Sequence, residues 1–137
     1  LNFVKNLIMI QRIQSLYLLV VILLSSLMLY LSLVPSFGME LNSWFYTYFG
    51  FYSIPLLATI CLFLYSKRKI QSILCFVLIL FNLVVVQICG LKAFEGNTHT
   101  IILLALVASV VECILLFLAR RAIDKDEKLV RSIDRIR

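Results

Sequence analysis

The chain has 137 residues, of which 63% are hydrophobic and 15% charged, with a mean hydropathy of +1.05 and a net charge of +6. A soluble domain of this size cannot bury so much apolar surface, and soluble proteins carry about 25% charged residues. Lipid is the solvent that fits, and basic residues set between and after apolar runs speak for membrane orientation and against nucleic acid.

Residues 1–15 form an expected N-terminal segment carrying Lys5 and Arg12. The first apolar run, 16–34, is closed by Pro35. At about 1.5 Å per residue it reaches roughly 28 Å, close to the hydrocarbon thickness. It exceeds a signal-peptide core of about 7–15 residues and no A-x-A site follows, so a retained helix is expected.

The second run, 44–65, opens with Trp44, Phe45, Tyr46, Tyr48, Phe49, Phe51 and Tyr52. Rings with a polar tip favour the headgroup region, which makes an interface belt the first reading and a ligand-binding aromatic face the second. Pro55 removes one backbone donor and is expected to bend this helix. A tight basic loop, Ser66-Lys67-Arg68-Lys69, leads to the third run, 70–90. A short polar connection containing Glu95-Gly96-Asn97 leads to the fourth, 101–119, which Arg120 and Arg121 stop.

Residues 122–137 read as an amphipathic helix. Leu129, Val130, Ile133 and Ile136 fall on one side at helical spacing, and Asp124–Lys128 and Glu127–Arg131 are acid-before-base pairs four residues apart. Such a tail either prolongs the fourth helix or lies on the membrane surface. The expected fold is therefore all-α and integral to the membrane: four transmembrane helices in two helical hairpins, then an amphipathic cytoplasmic C-terminal helix. The loops are too short for a soluble domain, and the two hairpins do not match as a repeat.

Twelve of the 13 Lys and Arg residues flank one side of these runs, and Lys92 alone lies on the other. By the positive-inside rule both termini and the Lys67–Lys69 loop are expected in the cytoplasm, with the protein multi-pass in a bacterial inner membrane.

Three stretches resemble a bacterial family of small membrane proteins called domain of unknown function 4293. They are Met9-Ile10-Gln11-Arg12-Ile13-Gln14-Ser15-Leu16-Tyr17-Leu18-Leu19, the piece Lys67-Arg68-Lys69-Ile70-Gln71 with Leu74-Cys75 and Asn82, and the tail from Ala119 to Arg137. The resemblance runs from Met9 to Arg137 and implies a four-helix inner-membrane protein, without an activity. Leu1–Ile8 precede that point, so Leu1 and Met9 are alternative expected starts.

Glu112 is the sharpest candidate for chemistry. A carboxyl group inside a membrane helix costs several kcal/mol when charged, so it tends to be neutral, paired or functional. It lies about 12 Å above Arg120, and Asn82 about 18 Å above Ile70, at ~1.5 Å per residue. The two meet if the third and fourth helices pack, and Gln87 and Ser109 are candidates to enlarge the site. Either the group couples to a proton or cation, or a neutral Glu112 serves as hydrogen-bond glue with Asn82, a term of about 0.6–2 kcal/mol.

Cys61, Cys75, Cys89 and Cys113 are single residues in apolar runs without a C-x-x-C. They read as small hydrophobes rather than a redox set. His99 has no clustered ligands beside it, so no metal site is expected, and no motif implies a cofactor or a catalytic residue. Arg120, Arg121, Lys128, Arg131 and Arg135 form a candidate cytoplasmic partner surface. The function expected is that of a non-catalytic accessory, scaffold or assembly component, with the bilayer and either another membrane protein or further copies as partners. A small oligomeric transporter using Glu112 is the alternative, and an enzyme is not expected.

Overall fold

A computed structural model describes the backbone over residues 2–33, 44–96 and 100–136, with α1 at Asn2–Leu33, α2 at Trp44–Phe63, α3 at Arg68–Phe94 and α4 at Thr100–Ile136. The described structure is entirely helical. Three stretches, in α1 from Arg12, α3 and α4, are long and apolar enough to cross a membrane, and the described apolar part of α2, Tyr52–Phe63, is shorter. The connections before α2 and α4, with His99, lie outside the described residues, as do the side chains of the ring cluster before Tyr52.

Each helix turns one stripe inward, and the stripes share a period. Buried positions are Gln14, Leu18, Val21, Ser25 and Met28 in α1, Ile54, Ala58 and Cys61 in α2, and Gln71, Cys75, Leu78, Asn82, Val85 and Cys89 in α3, where Ser72 beside Gln71 is buried off the stripe. In α4 they are Ile102, Ala105, Ser109, Glu112, Leu116, Ala119, Ile123 and Asp126. The steps alternate between three and four residues throughout, the 3.5-residue repeat that keeps a seam facing its neighbours. Lipid tails offer no hydrophobic drive for helix association, so close packing and hydrogen bonds must hold such a seam, which suits small and polar residues. Ser25 and Ser109 are satisfied locally, their hydroxyls donating to the Val21 and Ala105 carbonyls at 2.7 and 2.8 Å.

Several helix boundaries differ from those expected. The basic loop shrinks to Lys67, because a 3₁₀ turn at Leu64–Ser66 ends α2 and Arg68 already opens α3. The turn is closed by the Lys67 N–H donating to the Leu64 carbonyl at 3.0 Å. α3 continues through Gly90 and stops at Phe94, where Gly96 takes a φ of 90° and its N–H donates to the Ala93 carbonyl at 3.3 Å. A residue with a side chain resists that left-handed geometry, so glycine suits this exit. α4 continues unbroken past Arg120–Arg121 to Ile136, so of the two arrangements expected for the amphipathic tail it is the prolonged fourth helix that is found. Likewise α1 includes most of the expected N-terminal segment.

α3 and α4 run antiparallel in one register. Ser72 meets Asp124, Phe76 meets Arg120, and a methyl group added at Gly90 would touch Leu106. Packing persists beyond the charged doublet, since Ile123 and Asp126 are fully buried.

Candidate functional site

The α3–α4 seam carries polar groups at two heights. The first is inside the apolar part, where Asn82 is fully buried and Glu112 is 3% exposed. By the register of Ser72–Asp124 and Phe76–Arg120, Asn82 and Glu112 fall at nearly the same height on the seam. Asn82 Nδ2 donates weakly to the Leu78 carbonyl one turn back, at 3.5 Å, and its Oδ1 has no hydrogen-bond partner. Both residues fall on the heptad stripes, which brings them together.

Ser109 lies on the same stripe one turn from Glu112, but its hydroxyl is committed to its own helix. Gln87 does not join the site. It is exposed on α3, away from the stripe of Asn82, Val85 and Cys89.

The second layer lies ten residues back along α3, roughly 15 Å away at ~1.5 Å per residue, at the end where both helices carry basic residues. Arg68 Nε lies 3.2 Å from Asp126 Oδ2, and Asp126 is 0% exposed. The Ser72 hydroxyl donates to Asp124 Oδ1 at 2.7 Å, and Arg120 Nε lies 3.9 Å from Asp124 Oδ2. The Arg120 guanidinium also stacks over the Phe76 ring, 4.7 Å from its centre, a favourable placement for a cation on an aromatic face. Five side chains of α3 and α4 thus meet here, through two ion pairs and one hydrogen bond to a carboxylate, Ser72–Asp124, whereas neither Asp126 oxygen accepts a hydrogen bond.

Beside this layer the α2–α3 hairpin holds a thiol pair. Cys61 Sγ and Cys75 Sγ are 3.4 Å apart, and Gln71 Nε2 donates to the Cys61 carbonyl at 3.2 Å. Both cysteines are buried, free thiols. Treating the four cysteines as unrelated misses this meeting. The sequence offers only a partial signal: Cys75 and Cys89, two heptads apart in α3, share a seam position, but that phase does not carry across the turn to Cys61 in α2.

The basic surface expected to bind a partner divides in two. Arg120, Arg121 and Lys128, with Phe117, Asp124 and Lys125, line a groove of about 530 Å³. Farther along, Arg131 is held by Glu127 at 2.7 Å, as its spacing suggested, and Arg135 is exposed. The companion pair is not formed: Asp124 engages Ser72 and Arg120, and Lys128 has no ion pair among the described residues.

A family model described as a domain of unknown function (DUF4293) matches residues 36–136. The chain belongs to this family. The matched range takes in the thiol pair, the Asn82–Glu112 pair and the ionic layer, whereas the Met9–Leu19 stretch precedes it. Neither a curated protein nor a solved structure matches the chain. Membership brings no reaction with it, so any role must be argued from the geometry.

Proposed function

We propose that the protein is a non-catalytic component of a bacterial inner-membrane complex, an accessory or scaffold subunit with four membrane-spanning helices and both termini in the cytoplasm. The observation that carries this reading is the α4 rod. It continues past the apolar bundle and is held at its base by Arg68–Asp126 and Ser72–Asp124. A helix secured to its neighbour by an ion pair with a buried acid and by a hydroxyl–carboxylate hydrogen bond emerges in a fixed direction, which favours presenting a surface to a partner. The rod's outer turns carry Arg135 and the exposed Ile136.

The interior pair supports the same reading. Glu112 and Asn82 are both buried in the seam, and neither lines the groove at the basic end. In its acid form the Glu112 carboxyl supplies the donor that Asn82 Oδ1 lacks, joining α3 to α4 as a structural hydrogen bond.

The test is in-cell crosslinking followed by mild-detergent purification and mass spectrometry, with full-length protein beside a chain lacking residues 129–137. This truncation leaves Asp124 and Asp126 in place, so the bundle's ionic layer survives. A stoichiometric partner recovered with the full chain and lost with the truncated one is the expected result. Recovery of a defined homo-oligomer from both would contradict the scaffold reading and favour transport.

A further inference from the structure

The groove beside Arg120 is built differently from the rest of the charged surface. Its lining runs along one stripe of α4: Phe117, then Arg120 and Arg121, then Asp124 and Lys125, then Lys128. Four cations face one carboxylate, which is already engaged by Ser72 and Arg120. Arg121, Lys125 and Lys128 are exposed and have no ion pair among the described residues. Like charges at Arg121 and Lys125, four residues apart, oppose the helix. A bound anion would remove that repulsion.

The polarity of the stripe points to the kind of anion. Phe117 is 59% exposed and belongs to the apolar run, whereas the cations begin three residues later. An apolar wall followed by a cationic one, in a groove of about 530 Å³, matches a molecule with a hydrocarbon end and an anionic head. The volume is within the roughly 300–1,000 Å³ of small-ligand sites, and basic pockets at the cytoplasmic boundary of membrane helices suit anionic headgroups. Arg120 is already oriented by its stacking on Phe76.

We propose that this groove is a binding site for an anionic phospholipid. Its phosphate is held by Arg121, Lys125 and Lys128, and its acyl chains lie against Phe117. The site is separate from the distal turns to which the scaffold reading assigns a partner.

The test is thermal unfolding and native mass spectrometry of the purified full-length protein in mild detergent. The probes are phosphatidylglycerol, phosphatidylcholine and soluble glycerol 3-phosphate. Phosphatidylglycerol should raise the unfolding temperature several degrees above the phosphatidylcholine value and give a one-lipid adduct. The variant Arg121→Gln/Lys125→Gln/Lys128→Gln should lose that increment and adduct while keeping the wild-type unfolding temperature in phosphatidylcholine. Lys125→Gln alone should weaken the increment, and covers the case in which the triple variant does not fold. A charge-matched control, Lys67→Gln/Lys69→Gln/Arg135→Gln, should keep it. Equal effects of the two lipids, an increment surviving in the groove variants, or its equal loss in the control would overturn the proposal. The same shift with glycerol 3-phosphate would assign the groove to a free phosphate ester instead.

Discussion

The interior pair and the ionic layer hold the same two helices together by different means. At Asn82–Glu112 one amide and one carboxyl are buried among apolar residues and Ser109, and Glu112 has no ion pair among the described residues. At the basic end each acid has a cation or hydroxyl: Asp126 has Arg68, and Asp124 has Ser72 and Arg120. The difference follows from depth. Desolvating a charge is most costly deep in an apolar run, where an ionisable group tends to be neutral or paired. Near the boundary full charges are tolerable when paired, and pairing at a fixed place along each helix sets the register.

That contrast ranks the effects of substitution. The largest is expected for Arg68→Ala, which leaves the fully buried Asp126 without its cation. Breaking a buried ion pair from one side costs about 3–5 kcal/mol, and the partial exposure of Arg68 places this one near the lower end. Reversible unfolding in detergent measures it. An effect below about 1 kcal/mol, the ordinary worth of a surface pair, would show the layer to be solvated and would erase the distinction.

A middle-sized effect is expected from Glu112→Leu, which leaves the Asn82 side chain without its partner across the seam. About 1–2 kcal/mol should be lost, again read from unfolding. The smallest belongs to Gln87→Leu. Its side chain is exposed on α3, so stability should change by no more than ~0.5 kcal/mol, as for other surface changes. A loss as large as that of Glu112→Leu would place Gln87 in the seam after all.

The number of helices was legible because each apolar run is long enough to register by length alone. Asn82 and Glu112 were legible too, as polar residues conspicuous in an apolar background. The inward stripe was not, because lipid-facing positions are as apolar as buried ones and hydropathy then has no period. The period is written instead in small and polar residues: Gln71, Cys75, Asn82 and Cys89 in α3, and Ala105, Ser109, Glu112 and Ala119 in α4. A turn of about 100° per residue puts Gln87 well off the Asn82 stripe, so its exposure could have been inferred.

The tail shows a second reason. Arg120–Arg121 ends the apolar run, and the sequence leaves open whether the tail prolongs the helix or lies on the membrane surface. Charge ends only the span. No glycine or proline follows Gly96, so nothing local interrupts α4. Asp126 was invisible for a related cause, since its partner Arg68 was assigned to a loop rather than to the first turn of α3.

The claim that function resides in the secured α4 rod, with the interior carboxyl serving as structure, is tested most directly by Glu112→Gln in the protein's own membranes. The substitution preserves size and a side-chain donor but removes the ionisable group. The expected result is wild-type partner recovery by crosslinking, with stability within about 1 kcal/mol of wild type. Loss of a proton or cation flux in a folded, fully assembled Glu112→Gln protein would contradict the claim and make the seam a working site.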